Sequence, residues 1–460
     1  MTKIIRKYSK LIGLGIFCIL GIIFSIPLGV SKEIIIFLTG LYIYMDIYYK
    51  KRNPDFKVFN VIFLFTLFYG AMSLLKANNI NALYTPVIIF VILANILFND
   101  IHLGFIVGLA TSLICSDRIE IMLLFLITGL SANILVNKAM SLKQIMRAAF
   151  LAGLIQAITL MFIGGFIFNK IFMLSYFHIL INGIFSGMFI LGLSAFGLLH
   201  IFENIFQVIT NFSLLELSDY NHPILRKLSL EAPGTYHHSL VVGNLSDAAA
   251  EKVKANPLLA RVGAYFHDIG KLDKPEYFSE NQLQLSSKHE NLSPSISKMV
   301  ITNHVKEGVE LAKRYKLNSK IINFINEHHG TSIVFYFFMR ALEEQNENKP
   351  QEEEFRYPGP KPQSKETAIV LLADSVEAAT RSLEDPTPAK IEEIVHKIIN
   401  NRFIDGQLDE CDLTLKNLEE IASVFTRMLT SIYHGRIQYQ EEKPNANHKK
   451  SSERNSASDK

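Results

Sequence analysis

The sequence predicts an all-α protein: a polytopic transmembrane helical bundle followed by an all-helical cytoplasmic domain. Three observations predict it. Long apolar runs fill the chain up to about His200, and charged residues become frequent only beyond it. Lys and Arg cluster in some of the loops between those runs and not in others. Downstream, apolar residues recur with helical spacing, and no alternating run is long enough for a sheet. The 460 residues, 49% of them apolar, leave room for two domains of ordinary size.

The elements follow in order. Met1–Lys10 is basic and precedes the apolar run Leu11–Val30. A signal peptide would begin this way, but no small-residue cleavage site is clear and further apolar runs follow at once, so the run reads as an uncleaved first span. A span takes about 20 mostly apolar residues to cross a hydrocarbon core of roughly 30 Å. The candidates are Leu11–Val30, Glu33–Tyr49, Val58–Leu75, Leu83–Phe98, Ile101–Cys115, Ile119–Val136, Arg147–Phe168 and Phe172–Ile201, seven to eight helices in all. Positive loops stay inside. The clusters are Lys3, Arg6, Lys7 and Lys10, then Lys50, Lys51, Arg52 and Lys57, then Lys138, Lys143 and Arg147. Two crossings, then four, then two more keep all of them inside, so eight spans put the polar domain in the cytoplasm. The alternative, a large soluble protein with buried helices, does not account for the alternating basic loops. A transporter would carry paired charges at mid-membrane depth. Asp46, Asp100, Glu120, His178 and Glu203 form no convincing pair, so this half reads as an anchor, a sensor or a dimerisation module.

Residues 1–205 are thus the expected transmembrane domain, and 206–233 the linker helices, with a short helix His222–Leu230 set off by Pro223 and Pro233. Helical spacing continues from Thr235 to about Tyr439, giving a domain over 234–440. The polar stretch Glu343–Glu366, with Pro358, Gly359, Pro360 and Pro362, predicts an ordered or semi-rigid loop. The tail 441–460, rich in Lys, Ser and Asn, predicts disorder. A net charge of +3 is too small to argue for a nucleic-acid polymer as partner. The three cysteines, Cys18, Cys115 and Cys411, have no spacing that suggests disulfides or a zinc site. Metal chemistry here has to come from His and carboxylates.

Eight of the fourteen histidines fall between His222 and His329. That clustering raises the question of a metal. The informative pieces are Tyr236-His237-His238-Ser239, Phe266-His267-Asp268-Ile269-Gly270-Lys271, Asn303-His304-Val305, Glu327-His328-His329-Gly330 and Ala373-Asp374-Ser375. Mixed His/Asp donors suit Fe, Mn or Zn rather than Mg, which prefers oxygen alone. Adjacent His267 and Asp268 on one helix would point about 100° apart, leaving Asp268 free to lie between two metals. Five helices converging on one point make a plausible site in a helical bundle. His102, His178, His200, His222, His396, His434 and His448 lack such a context and read as structural. His289 reads as a loop residue.

The order His, His-Asp, His, His-His, Asp resembles the HD-domain metal-dependent phosphohydrolases. More closely, the chain is similar to the seven-transmembrane HD hydrolases of bacteria, the PgpH-type cyclic-di-AMP phosphodiesterases. The likeness runs through Pro233-Gly234-Thr235-Tyr236-His237-His238-Ser239, Arg261-Val262-Gly263-Ala264-Tyr265, Phe355-Arg356-Tyr357-Pro358-Gly359-Pro360-Lys361, Asp374-Ser375-Val376-Glu377-Ala378-Ala379 and Glu410-Cys411-Asp412-Leu413-Thr414.

The resemblance implies two divalent cations, Mn or Fe, with His238, His267, Asp268 and Asp374 on one. His304, His328 and His329 would hold the other, sharing Asp268. It places the ligand immediately before Ser239, leaving His237 as a structural neighbour. It implies hydrolysis of cyclic-di-AMP to linear pApA by metal-activated hydroxide, with Asp268 at the centre and Lys271 contributing charge near the phosphate oxygens. It also implies a bacterial inner-membrane location and a cyclic dinucleotide and the lipid bilayer as partners. Members of the family often pair, which puts a homodimer among the implied partners. The related HD-GYP enzymes, which act on cyclic-di-GMP, carry Gly-Tyr-Pro, whereas this chain has Tyr357-Pro358-Gly359. Family members usually have a large extracellular domain after the first span. Only Ser31 and Lys32 separate the first two candidate spans here, so that domain is expected to be absent. The competing readings are a membrane receptor or scaffold that binds nucleotide without turnover, a transporter with a regulatory domain, and a phosphohydrolase of another nucleotide.

Overall fold

The structure is a computed structural model and describes residues 58–78, 87–114, 119–137, 139, 141–168, 173–185, 192–282, 288–344 and 350–434. The two candidate spans before residue 58, the separation between them and the 441–460 tail lie outside the described residues. Contacts divide the chain into two compact units near Arg226–Lys227, with Lys313–Ile322 grouped with the first. The all-α expectation is met: the described residues form helices and 3-10 turns, with one isolated antiparallel bridge between Ile333 and Arg356.

The first unit holds α1 (Val58–Ala77), α2 (Val87–Phe98), α3 (Ile101–Ile114), α4 (Ile119–Val136), α5 (Leu142–Phe168), α6 (Met173–Phe185), α7 (Leu193–Phe206) and α8 (Asn211–Leu217). Helix α2 is apolar all round and accordingly buried from Val87 to Asn95. Its one amide, Asn95, donates to Asn133 Oδ1 at 2.6 Å, and Asn133 Nδ2 donates to the Ile101 carbonyl at 2.8 Å, so polar groups in an apolar interior find each other. Gly108 and Gly129 let α3 and α4 approach closely: a Cβ on Gly129 would lie 3.6 Å from Gly108 Cα. Outward, Ile134, Ile158, Phe162, Phe177, Leu193 and Ile205 are all exposed. That surface suits hydrocarbon rather than water.

Length separates these helices from the expected set of spans. Among the described residues, Ile119–Val136 and Leu142–Ile163 are long and apolar enough to cross a bilayer, and α7 with α8 makes a third candidate bent by 87°. Of the candidates Leu83–Phe98 and Ile101–Cys115, the described residues form helices of 12 and 14 residues. Within the run expected over Phe172–Ile201, the described residues form α6 up to Phe185 and α7 from Leu193, and those between 185 and 192 lie outside the described residues.

Beyond it lie α9 (Pro223–Glu231), α10 (Pro233–Lys252), α11 (Pro257–Phe266), α12 (Pro294–Arg314), α13 (Ser319–Glu327), α14 (Phe335–Glu344), α15 (Lys365–Arg381), α16 (Pro388–Ile404) and α17 (Leu415–His434). Starts are encoded locally. Pro233, Pro257 and Pro388 occupy first-turn positions, where the missing N–H costs nothing. Asn256 caps α11 through Leu259 N, and Ser364 with Thr367 forms a reciprocal capping box on α15. Helix α15 is the central rod. Its run Ala368–Ala373 is fully buried, and it packs with α10, α11, α16 and α17 around Val242, Leu245, Ile391, Val395, Ile421 and Phe425. The short helix expected at His222–Leu230 is α9, one residue later.

Between α11 and α12 the backbone turns through three short 3-10 segments, Ile269–Asp273, Pro275–Tyr277 and Ser279–Asn281. Two glycines permit the crossings. A Cβ on Gly234 would lie 1.8 Å from the Glu280 carbonyl oxygen, and one on Gly270 would lie 1.8 Å from that of His304. No side chain fits there. Gly270→Ala therefore has to push α12 away from the 3-10 turn, and the expected loss of stability is about 3 kcal/mol, read by chemical denaturation of the full chain. A variant with unchanged stability would contradict the crossing.

Candidate metal centre

Five helices bring seven side chains to one point inside the second unit. His238 comes from the second turn of α10, His267 caps the C-terminus of α11, and Asp268 starts the following 3-10 turn. His304 lies in the middle of α12, His328 and His329 directly follow α13, and Asp374 sits halfway along α15. One expectation needs correction. His267 and Asp268 do not share a helix, because α11 ends at Phe266 and Gly270 must pass under the His304 carbonyl. The break, rather than a helical 100° offset, separates their directions.

The carboxylates are arranged as bridges. Asp268 Oδ2 faces His267 Nε2 at 3.1 Å and His238 Nε2 at 3.7 Å. Its Oδ1 faces His304 Nε2 at 3.3 Å and His328 Nε2 at 3.6 Å. Asp374 does the same from the other side: Oδ1 lies 3.0 Å from His238 Nε2 and 3.9 Å from His267 Nε2, while Oδ2 lies 3.7 Å from His329 Nδ1. The ligand atoms of Asp268, His304, His328 and His329 all lie within 4.8 Å of one another, as do those of His238, His267 and Asp268. Six of the seven residues are buried, and His329 is half-buried.

Hydrogen bonds behind the rings fix which nitrogen faces inward. His267 Nδ1 donates to the Ala264 carbonyl at 2.6 Å, His304 Nδ1 to that of Ile301 at 2.6 Å, and His328 Nδ1 to that of Ile325 at 2.9 Å. His238 Nδ1 donates to Glu377 Oε2 at 2.6 Å. Outer partners of this kind set the tautomer of metal-binding imidazoles. They leave Nε2 lone pairs converging on carboxylate oxygens, and two of them, on His304 and His328, face each other at 3.2 Å. His267 Nε2 and Asp268 Oδ1 are buried without any hydrogen-bond partner among the described residues. Lone pairs facing lone pairs in a dry interior repel, and a cation between them removes the repulsion. The residues fit divalent metal ions.

Electrostatics agree. Burial pulls the His304 imidazole down to about 4 in spite of Asp268, and burial with the neighbouring His328 holds His329 well below its usual value. Both offer neutral nitrogens. Burial also opposes charge on His238, but its hydrogen bonds with Asp374 and Glu377 prevail and raise it to about 10. A cation entering there competes with the Nε2 proton for one lone pair, so uptake releases a proton. Burial works against the Asp268 carboxylate, yet His267 and Lys271 hold it well below the ordinary carboxyl range.

Lys271 lies against the same centre. Its Nζ sits 2.8 Å from Asp268 Oδ2 and 2.6 Å from Glu280 Oε1, above the Phe278 ring. Two carboxylates thus hold the ammonium, and Glu280 is latched in turn to α10 by the Thr235 hydroxyl. His237 is exposed and takes no part, and His289 is tied to the Tyr277 carbonyl at 2.9 Å as a loop residue. Sequence reading passed over three neighbours. Glu377 stands three residues after Asp374 on the same face of α15, a spacing that could have flagged it. Glu280 comes from a turn that carries no motif. Tyr357 stacks on His329, with ring centroids 4.1 Å apart and planes 29° apart. The bridge at Arg356 places it there: Tyr357 N donates to Ser332 O, and Val334 N to Phe355 O, which ties the proline-rich stretch to the segment after His329.

An all-helical fold in which His, His-Asp, His, His-His and Asp surround one dry point defines the class of HD-domain metal proteins. The comparisons place the chain within it. The profile of the HD domain matches residues 235–379, and that of the family described as "7TM receptor with intracellular HD hydrolase" matches residues 24–210. The cyclic-di-AMP phosphodiesterase PgpH of Bacillus subtilis (strain 168) is 38% identical over 428 residues, covering 88% of this chain and 60% of that protein. PgpH of Listeria monocytogenes serotype 1/2a (strain 10403S) is 38% identical over 427 residues, covering 89% and 58%. A crystal structure of the L. monocytogenes PgpH HD domain in complex with cyclic-di-AMP is 47% identical. It aligns over 47% of this chain and all of its own length, with a TM-score of 0.45. The chain belongs to the family of seven-transmembrane HD hydrolases and is a membrane protein. It spans about three fifths of the length of the curated relatives it matches.

Proposed function

We propose that the chain is a membrane-bound, metal-dependent phosphodiesterase that hydrolyses cyclic-di-AMP to linear pApA. The observation that carries this is Asp268, whose two oxygens face two separate sets of imidazoles. The substrate class is supported by two relatives of that name at 38% identity. Mn or Fe is the favoured pair of ions, because five imidazoles with two carboxylates suit borderline metals better than Mg. In this reading residues 1–205 anchor the chain in the lipid bilayer, 206–233 couple the anchor to the domain, and 234–440 perform the chemistry on the cytoplasmic side.

When bound, the two ions would supply Lewis acidity toward the phosphoryl group and a nucleophile at neutral pH. The protein supplies the rest. His238, His267, Asp268 and Asp374 hold one position, and His304, His328 and His329 hold the other with Asp268 shared. Lys271 and Glu280 fix the orientation of Asp268, so its oxygens stay divided between the two sets. Glu377 fixes the His238 ring, and Tyr357 fixes that of His329. Burial keeps bulk water away from the reacting phosphate and strengthens every charge around it.

The test is turnover by the purified full-length chain in detergent micelles, with Mn²⁺ or Fe²⁺ supplied and metal content measured on the same sample. Conversion of cyclic-di-AMP to pApA is the expected result. Absence of hydrolysis of any cyclic dinucleotide by protein carrying both ions would leave a nucleotide receptor instead.

A further inference from the structure

Helix α16 carries a cation on its buried face. Ile391, Val395 and Ile399 recur at intervals of four and are buried against α15. Arg402 follows three residues later on that same stripe and is half-buried, whereas its apolar neighbours Phe403 and Ile404 are exposed. The polarity is reversed from what folding alone would select. A guanidinium drawn inward while Phe and Ile face outward calls for a partner of opposite charge.

No described residue is that partner. Arg402 Nε and Nη2 both donate to the Ser375 hydroxyl, at 3.3 and 3.2 Å, and no carboxylate among the described residues lies within ion-pair distance. Asp405, the acid nearest in sequence, is taken by Arg356, which reaches its two oxygens at 2.8 and 3.2 Å. Asp374 adjoins Ser375 but directs both oxygens at imidazoles. Arg402 Nη1 has no hydrogen bond to any described residue. Ser375, which holds the guanidinium, is the next residue after Asp374, so Arg402 lies beside the metal centre, where burial lowers its pKa.

We propose that Arg402 is a substrate-binding residue whose free edge receives a non-bridging oxygen of the phosphodiester, its other edge being fixed by Ser375. The inference rests on the phosphodiesterase reading and adds a residue to it. A planar guanidinium pinned on one edge loses little freedom on binding a phosphate, which a lysine ammonium cannot match.

The experiment uses the full chain in micelles, loaded with Mn²⁺, as wild type, Arg402→Met and Arg402→Lys. Equilibrium dialysis with a non-hydrolysable phosphorothioate analogue of cyclic-di-AMP gives Kd, kinetics with cyclic-di-AMP give kcat and KM, and metal content and melting temperature are recorded for each. Arg402→Met should raise Kd and KM by about 10- to 100-fold with both metals and the melting temperature retained. Arg402→Lys should recover only part of the loss. Wild-type Kd and KM in Arg402→Met would overturn the proposal, as would loss of metal or early melting in both variants, since Arg402 would then be structural. Wild-type hydrolysis alongside an unaffected variant removes this inference alone. Arg402-dependent binding without hydrolysis by wild type keeps the anchor and removes the phosphodiesterase reading, and wild type that neither binds nor hydrolyses removes both.

Discussion

Asp268→Asn should lower phosphodiester hydrolysis by about 10³-fold or more and reduce the metal content of the purified chain. The substitution is isosteric, so packing around the site is kept. What goes is the negative charge whose oxygens face His267 and His238 on one side and His304 and His328 on the other. A neutral amide has one carbonyl oxygen to offer and cannot serve both sets. Lys271 keeps Glu280 as its counter-charge at 2.6 Å, so no unpaired buried cation is created to unfold the domain. Loss of activity should therefore come with a cooperative unfolding transition near that of the metal-free wild type. Initial rates, metal analysis and thermal melts on the same preparation check it. A near-normal rate with two ions retained would end the assignment of Asp268 as the shared ligand.

The second large effect should come from removing the metal itself. Treating the full chain with a strong chelator should lower activity by more than about 100-fold and destabilise the helical domain. Mn²⁺ or Fe²⁺ should restore both, and Ca²⁺ neither. The stability change follows from the same lone pairs that argue for the ions. His304 and His328 present Nε2 atoms 3.2 Å apart, and the buried Asp268 Oδ1 and His267 Nε2 lack hydrogen-bond partners among the described residues. Cations relieve all of these contacts together. An ion supplied at 100 times its Kd stabilises the fold by about 2.7 kcal/mol per site. Slower amide hydrogen exchange in α10 and α15 on adding metal is the expected signature, because His238 and Asp374 lie on them. Identical exchange with and without metal would count against a site that couples these helices.

How much of this was legible beforehand varies from residue to residue. The candidate ligand set came from the resemblance to HD-domain proteins, because His-Asp, His-His and a late Asp form a linear pattern that can be matched without knowing the fold. The choice of His238 over His237 also came from pattern, and the geometry now supplies its cause. Residue 238 faces α15, where Glu377 and Asp374 wait, while residue 237 faces solvent. Lys271 was placed correctly along the chain but not in its surroundings. Sequence shows a lysine three residues after an aspartate, but not the Glu280 that a later turn folds back onto it. Tyr357 and Arg402 could not be found this way at all. Each reaches the site through a contact about 27 residues or more away along the chain, and no spacing rule covers such distances.

The sequence by itself determined the helical class, the change from apolar to polar composition near His200, the helix starts at Pro233, Pro257 and Pro388, and the set of His and Asp residues that the fold gathers. These are local or periodic properties, written in composition and in spacings of three and four residues. Tertiary structure alone decided that α11 ends before Asp268, that one carboxylate divides its oxygens between two groups of imidazoles, and that a half-buried arginine lies beside them with an edge left over. Those outcomes depend on where backbones cross, at Gly234 and Gly270, and such crossings are fixed by packing between segments that know nothing of each other in the chain.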